Sequence, residues 1–109
     1  MAPTRKLETG QGGRSPLLPL IHGRVRLLIL SALLRADRAL PFTDLRERLK
    51  LTDGTLSVHL AKLEEGKLIT IRKIFVGKRP QTQVRVTVRG QRQFAQYVDD
   101  LREIIPGLD

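Results

Sequence analysis

Apolar residues recur at a helical spacing in the first part of the chain. In residues 20–37 they occupy nearly every side of the predicted helix, and Ile21, Val25 and Leu28 mark one of these sides. A helix that is apolar nearly all round is buried on more than one side. In a chain of this length, the pattern indicates a second burying surface, which another subunit would provide.

Two short helices are predicted next, one opening at Thr43 and one over residues 53–65. Pro41 prevents helix before the first of them, and Thr43 is a suitable N-cap for it. Thr52 or Asp53 can cap the second. Two helices separated by so tight a turn are typical of a helix-turn-helix motif.

The helix over residues 53–65 has a polar side without the usual mixture of charges. Its buried side is formed by leucines, whereas its opposite side and flanks carry mainly small, uncharged and basic residues. Gly54 in the first turn allows another backbone to approach closely. Such a side fits a groove lined with phosphates. The candidate DNA contacts of the two helices are Thr43, Thr52, Asp53, Gly54, Thr55, Ser57, Val58 and Lys62.

Strict alternation replaces the helical period after residue 68. Ile69 and Ile71 alternate with polar residues, and Val84 and Val86 do so in a second segment, which predicts two antiparallel strands. The turn between the strands, "GKRPQ", has two adjacent cations at its tip. A basic hairpin that follows a helix-turn-helix is the wing of a winged helix, here centred on residues 76–82. The candidate DNA contacts of this hairpin are Arg72, Lys73, Lys78, Arg79 and Arg85.

A last helix is predicted to begin at Thr87, which can cap it, and to stop at Pro106-Gly107. Its apolar residues form one stripe, and little of the chain remains to cover them. We therefore expect two copies to pair about a two-fold axis. The candidate dimer contacts are Ile21, Val25 and Leu28 of the first helix, with Phe94, Tyr97, Val98, Leu101, Ile104 and Ile105 of the last.

The charge of the chain favours a polyanionic partner. Its net charge is +9 and its isoelectric point is about 11.1. Residues 66–92 contain eight Lys or Arg and no acid, whereas residues 99–109 are mainly acidic. A basic surface kept only for solubility does not require this separation. The distribution instead indicates a binding face and a separate, non-binding end.

Composition excludes several classes of function. The 109 residues include no cysteine, which removes disulfides, thiolate metal sites and cysteine nucleophiles. Neither histidine has a carboxylate and a nucleophile at a useful spacing, so we expect no enzyme activity, metal or cofactor; His59 is predicted to be a partly buried packing residue. No signal peptide or membrane span is predicted, and a cytoplasmic location fits. We expect a flexible basic tail at residues 1–16 and a DNA-binding and dimerisation domain at residues 17–109.

The segments "LTDGTLSVHLAKLEEGKLI" and "GKRPQTQVRVTVRG" resemble the small bacterial and archaeal winged-helix regulators of the ArsR/MarR-like group. The likeness extends over residues 17–105 and includes Gly90 at the start of the final helix. It implies an α+β, mostly helical fold and binding to double-stranded DNA as a homodimer. The helix over residues 53–65 would enter the major groove, with the wing on the adjacent minor groove or backbone. Metal sensing is not implied, because cysteine is absent and the histidines do not cluster.

The candidate contacts differ in what they can recognise. The hydroxyls of Thr55 and Ser57 suit phosphates or base edges, Lys62 suits phosphate, and Val58 suits a thymine methyl group. No arginine or asparagine lies on this side of the helix, so direct readout of bases is thin. Arg79 is suited to a narrow minor groove.

Two other interpretations remain open. A winged helix can act as a protein interaction module, which a steep salt dependence of DNA binding would exclude, because phosphate contacts release counterions. An RNA-binding protein is the other. RNA recognition usually stacks bases on aromatic side chains, and most of the four aromatic residues of this chain fall at predicted core positions.

Overall fold

The computed structural model describes residue 21 and residues 23–107. The predicted tail at residues 1–16 and His22 lie outside this part. The order of elements confirms the predicted helix-turn-helix, hairpin and final helix. The described elements are α1 (Arg24–Ala36), β1 (Leu40–Pro41), α2 (Phe42–Leu49), α3 (Asp53–Glu65), β2 (Ile69–Val76), β3 (Arg79–Val86) and α4 (Val88–Ile104).

The three strands form one antiparallel sheet in the order β1-β3-β2. The sequence pattern predicted only the hairpin, and at Leu40–Pro41 it predicted only that Pro41 prevents helix. In the structure this segment pairs with β3, with Leu40 opposite Val84 and Pro41 opposite Gln83. A proline fits a short edge strand because its missing N–H need not face another strand. This small strand joins the base of the hairpin to the helix-turn-helix.

The turn of the hairpin is shorter than predicted. Val76 pairs with Arg79, so Gly77 and Lys78 alone connect the strands. Gly77 has φ +64°, which a residue without a Cβ adopts readily, and a left-handed glycine in a two-residue turn matches the twist of the strands. The assignment of Arg79 to the turn is therefore wrong: it is the first residue of β3.

The N-cap predictions succeed at two helices and fail at one. Thr52 Oγ1 accepts a hydrogen bond from the Thr55 N–H at 3.2 Å, which confirms Thr52 as the cap of α3. Thr87 likewise caps α4. Thr43 is not a cap, because α2 begins one residue earlier with Pro41 in the N-cap position. Pro41 has φ −62°, close to the value its ring imposes, and so the chain passes from strand to helix without a capping side chain.

Each of the two helices of the helix-turn-helix is followed by a lysine in the left-handed conformation. Gly66 ends α3 as predicted, but its φ is −79° and the left-handed residue is Lys67, with φ +64°. The Lys67 N–H donates to the Glu64 carbonyl and the Leu68 N–H donates to the Leu63 carbonyl, which is a Schellman motif. Lys50, with φ +56°, ends α2 in the same way. Carbonyl groups in the last turns of α2 and α3 therefore accept hydrogen bonds from backbone N–H groups that follow each helix.

The core is almost wholly aliphatic and lies between the helices and one face of the sheet. The first helix contacts α2, α3, α4 and β3, and only Arg24 and Arg35 are exposed along it. The expectation that one domain could cover only one side of this helix is wrong, because α4 and the sheet cover the sides that α2 and α3 leave. The buried apolar residues are Ile21, Ile29, Leu30, Leu33, Leu40, Leu45, Leu56, Leu60, Leu63, Leu68, Ile69, Val84 and Tyr97.

The start of α4 is held against the segment that joins α3 to β2. Thr87 donates its hydroxyl to the Lys67 carbonyl at 2.8 Å and its N–H to the Leu68 carbonyl at 3.0 Å. Gly90 is buried at this junction. A Cβ at that position would collide with the Leu68 carbonyl oxygen and lie 2.8 Å from Val86 Cγ2. No larger residue fits unless α4 moves.

We expect Gly90→Ala to lower the free energy of unfolding by about 1–3 kcal/mol, because overpacking displaces α4 from the sheet. Urea denaturation measures the change. Gly54→Ala is the matched control: Gly54 lies in the first turn of α3, and a Cβ there would have no atom within 4 Å. It should raise stability by about 0.5 kcal/mol. Equal effects of the two substitutions would contradict the close approach at Gly90.

Candidate nucleic-acid interface

The exposed side of α3 agrees with its sequence pattern. Leu56, Leu60 and Leu63 are buried, whereas Val58 is 55% exposed. The other predicted contacts on this helix, Gly54, Thr55, Ser57 and Lys62, are exposed as well. The helix thus presents hydroxyls, a branched methyl group and one cation to the outside.

An ion pair sets the first turn of α3 relative to α2. Arg46 Nη1 lies 2.8 Å from Asp53 Oδ1, across the turn between the two helices. The hydrogen bond that Arg46 donates to Asp53, and then the negative charge of Asp53, raise the pKa of Arg46 above its ordinary value. Asp53 was predicted among the DNA contacts, but its carboxylate is engaged by Arg46 and would repel phosphate. The ion pair joins the first turn of α3 to the last turn of α2.

The remaining hydroxyls at the start of α3 are linked to each other. Thr52 Oγ1 lies 3.0 Å from Thr55 Oγ1, and both side chains are exposed. Thr43 is exposed in the first turn of α2. Because a hydroxyl can both donate and accept, Thr52 and Thr55 retain capacity for a further partner.

The hairpin divides its cations between two faces. Arg85 lies opposite Thr70, and Arg72 lies opposite Gln83, so the strand alternation places Arg72 and Arg85 on one face as diagonal neighbours. Arg79 shares that face by its register. Lys73 belongs to the opposite face, which is continuous with the core-facing residues nearer the helices. The sequence pattern had grouped these side chains without separating the faces.

The basic side chains of residues 67–92 have no acidic partner in the described part of the chain. Its ion pairs lie elsewhere, on α2 and at the end of α4, between Arg46 and Glu47, Arg46 and Asp53, Arg48 and Asp44, and Arg102 and Asp99. The eight cations between residues 67 and 92 are therefore uncompensated by any carboxylate that the structure describes. A surface of this kind attracts a polyanion and gains from neutralisation.

The hairpin is tied to α3 through Glu64. Its Oε2 accepts a hydrogen bond from the backbone N–H of Ile71 at 3.2 Å. This contact joins the last turn of α3 to the outer edge of β2. The sequence pattern did not predict it, nor the pairing of Arg46 with Asp53, because both contacts depend on how separate elements pack.

His59 is half-buried between α1 and α3, as predicted for a packing residue. Its Nδ1 accepts a hydrogen bond from Arg26 Nε at 3.3 Å. Burial lowers the pKa of His59 below its ordinary value, and the charges of Arg26 and Lys62 lower it further. The neutral ring is therefore the form that the folded chain favours.

The residues predicted for the dimer interface separate into two groups. Ile21 and Tyr97 are buried within the single chain and have no surface left for a partner, which corrects their assignment. Val25, Phe94 and Leu101 are partly buried against the same core because α4 folds back on α1. The exposed or half-buried remainder is Leu28, Val98, Ile104 and Ile105.

The described residues contain neither a metal cluster nor a membrane-spanning helix. No group of three or more His, Cys, Asp or Glu side chains among them could hold a metal ion. None of their helices is long and apolar enough to cross a membrane.

Comparison with known proteins identifies the fold. The model of the winged helix DNA-binding domain family matches residues 25–105. An uncharacterized protein of Methanocaldococcus jannaschii is 32% identical over 92 residues, which cover 84% of this chain and 99% of that protein. These matches confirm the predicted winged-helix fold and the family resemblance.

Solved structures agree. A transcriptional regulator homologue from Pyrococcus horikoshii OT3 is 33% identical, with a TM-score of 0.75 over 83% of this chain and 88% of that one. Overoxidized AbfR bound to DNA, a protein of Staphylococcus epidermidis, is 21% identical, with a TM-score of 0.65 over 75% of this chain and 58% of that one. At that identity the likeness to AbfR shows the fold alone.

We expect the contact between Arg26 and His59 to make stability depend on pH. The unfolded chain takes up a proton on His59 before the folded chain does, so the free energy of unfolding falls as the pH drops through about 6.5. Urea denaturation of the unmodified protein and of His59→Gln, at several pH values, isolates this effect. The stability difference between them should shrink toward acid. A difference that grows toward acid would contradict a neutral His59.

Proposed function

The chain belongs to the winged helix DNA-binding domain family, and from this premise we propose that it is a transcriptional regulator that binds double-stranded DNA sequence-specifically as a homodimer. The family and the regulators with this fold place it among non-enzymatic DNA-binding proteins. In the proposal α3 enters the major groove, and the hairpin contacts the adjacent minor groove or backbone. Residues 17–109 act together as the DNA-binding and dimerisation unit.

The observation that carries the proposal is the basic surface formed by the exposed side of α3 and the hairpin, where the hairpin cations have no acidic partner among the described residues. Of the three acids on α3, Asp53 is paired with Arg46 and Glu64 accepts a backbone N–H, which leaves Glu65 at the last position. The cations of the hairpin are uncompensated. Free acids on this surface would repel the phosphates of a nucleic acid. A surface that binds another protein does not in general have to exclude acids.

The side chains of α3 divide into those that read bases and those that hold the backbone. Val58 offers a methyl surface for a thymine, and Ser57 a hydroxyl for a base edge. Lys62, one turn further along, suits phosphate, as does Thr55 beside the cap. The absence of a Cβ at Gly54 allows the sugar–phosphate chain to approach the first turn closely.

Duplex DNA as the partner is supported by a second protein of this fold. AbfR has been crystallised bound to DNA. The arrangement of α3 and hairpin that this chain shares with AbfR favours the same class of partner here, and the net charge of +9 supplies the long-range attraction.

A homodimer is favoured by the end of α4. Ile104 is 48% exposed and Ile105 is 44% exposed, next to the half-buried Val98. A second copy related by a two-fold axis would cover these residues. It would also set two copies of α3 about 34 Å apart, one turn of DNA, and so demand a near-palindromic site.

The wing variant tests phosphate contact. We expect Lys78→Ala with Arg79→Ala to weaken binding to all duplexes alike and to reduce the salt slope by about 2, one for each lost phosphate contact. Stability should change little, since exposed charges contribute little to folding. Arg24→Ala with Arg35→Ala removes the same charge from the exposed side of α1 and is the control. Equal losses in both variants would leave only net charge as the cause.

The recognition-helix variants test base contact. We expect Ser57→Ala and Val58→Ala to change the ranking of duplexes selected from random DNA, by about 1–3 kcal/mol at the contacted base pair. Nonspecific affinity should stay close to that of the unmodified protein, because phosphate contacts are intact. If both variants select the same sequences as the unmodified protein, α3 does not read bases in the major groove.

The dimer is tested at Ile104 rather than Leu101, because Leu101 packs partly on the core of its own chain. We expect Ile104→Asp to give monomers by sedimentation equilibrium and to lower operator affinity by about a hundredfold. Ala95→Asp places the same charge on an exposed position of α4 outside the apolar stripe and should preserve both properties. A monomeric unmodified protein with full affinity at micromolar concentration would exclude the dimer.

A further inference from the structure

The far end of the hairpin is apolar as well as basic. Phe75 is 74% exposed and Val76 is 55% exposed. Across the hairpin, Phe75 lies opposite Pro80, which is also exposed. Phe75 and Pro80 therefore form an apolar pair on one face of the hairpin near its tip, while Val76 lies on the other face beside Arg79.

Phe75 differs from the other aromatic residues of the chain in its exposure to solvent. Tyr97 is buried, and Phe42 and Phe94 pack against the core. These four residues are the complete aromatic set of the sequence. Large apolar side chains on an open hairpin invite association between sheets, so an exposed phenylalanine at this place needs a partner that covers it.

The position of Phe75 follows from the length of the hairpin. Ile69, Ile71, Lys73 and Phe75 share one face of β2, and exposure along that face rises from 1% at Ile69 to 74% at Phe75. Glu64 holds the strand at Ile71. From Ile71 the strand continues for about 13 Å to Phe75. The phenyl ring thus lies beyond the helical layer, on the face that is continuous with the core and not on the face of Arg72 and Arg85.

The charge around Phe75 indicates which kind of partner could cover it. Lys73 shares the face of Phe75, and Lys78 and Arg79 form the adjacent turn and strand start, while residues 66–92 contain no acid. Two identical tips meeting about a two-fold axis would bring these cations together, which disfavours a second copy of the chain. A partner that is anionic at its rim and apolar within is the groove of a nucleic acid, where stacked bases lie between two rows of phosphates.

We propose that Phe75, supported by Pro80 across the hairpin, is an apolar wedge that enters the minor groove of duplex DNA and partly unstacks one base step. The proposal rests on the proposed function and extends it to how the site is selected. The cations at the tip hold the phosphates on either side, and the ring contacts sugars and base edges between them. A deformable pyrimidine–purine step accepts such a wedge at the least energetic cost.

The wedge supplies a source of specificity that α3 lacks. The exposed side of α3 has no arginine or asparagine to read a base in two hydrogen bonds. Selection by the ease of unstacking needs no such side chain, because the energy of deforming the DNA itself differs between sequences. Phe75 is thus a specificity-determining residue that acts at the hairpin, outside the recognition helix.

The test uses a duplex obtained by selection from random DNA, with 2-aminopurine placed in turn at each adenine and a dye at each end. Binding of the unmodified protein should raise 2-aminopurine fluorescence at one step and shorten the distance between the dyes. Phe75→Ala should abolish both signals and lower affinity about tenfold or more. Val88→Ala, which trims an exposed apolar side chain on α4, should behave as the unmodified protein.

Phe75→Lys separates a wedge from a simple charge contact. If the tip only neutralises phosphate, the added cation should strengthen binding and preserve both signals. The proposal expects affinity to be partly restored while the fluorescence and bending signals stay absent. Thermal unfolding of each variant checks the fold, which an exposed position should leave unchanged.

Several outcomes would overturn the wedge. Unchanged affinity, fluorescence and bending in Phe75→Ala would do so, as would tighter Phe75-dependent binding to single strands than to the duplex. A change of association state in Phe75→Ala, with DNA binding intact, would assign the tip to a protein contact. If the unmodified protein binds no duplex at all, the proposed function itself fails, and this is visible before any variant is compared.

Discussion

The Lys67-Leu68 segment is the junction on which the arrangement of the fold depends. Both of its carbonyls accept hydrogen bonds from Thr87, and the Leu68 N–H donates to the Leu63 carbonyl. One short segment therefore determines where α3 ends, where β2 begins and where α4 leaves the sheet. Gly90 permits this because α4 passes too close for any side chain. The exposed side of α3 and the base of the hairpin therefore keep a fixed position relative to each other.

Local chemistry decided how much of the structure the sequence could predict. The bounds of α3 at residues 53–65, the cap at Thr52 and the cap at Thr87 were predicted correctly, because each depends on a few adjacent residues. Strand β1 was missed, since a two-residue strand has no period and exists only through its pairing with β3. The coverage of α1 and the burial of Tyr97 were misjudged for the same reason: both depend on where α4 lies. The exposed side of α3 followed from its helical period, whereas the two faces of the hairpin cations were not separated and the ion pairs were not predicted.

The electrostatics of the chain oppose its own compactness on one side. Cations on the hairpin repel each other without compensation from described carboxylates, while Asp44, Glu47 and Asp53 pair with arginines of α2 and Glu64 accepts the N–H of Ile71. Charge of one sign is thus left free where a ligand would bind, and charge of the other sign is used internally. A polyanion that covers the basic surface removes this repulsion and shifts the folding equilibrium toward the native state by mass action. Binding and folding of this chain are therefore linked through the same side chains.

At the two left-handed lysines, the most favourable backbone conformation and a high positive charge require different residues. Lys50 and Lys67 occupy helix-terminating positions where glycine would avoid a strain of about 1 kcal/mol each. Glycine at both would also lower the net charge from +9 to +7. Engineering for thermal stability alone would replace these lysines by glycine. The same substitutions would weaken the long-range attraction for a polyanion. Residues at which backbone strain and ligand attraction oppose each other are where engineered stability and retained function would first diverge.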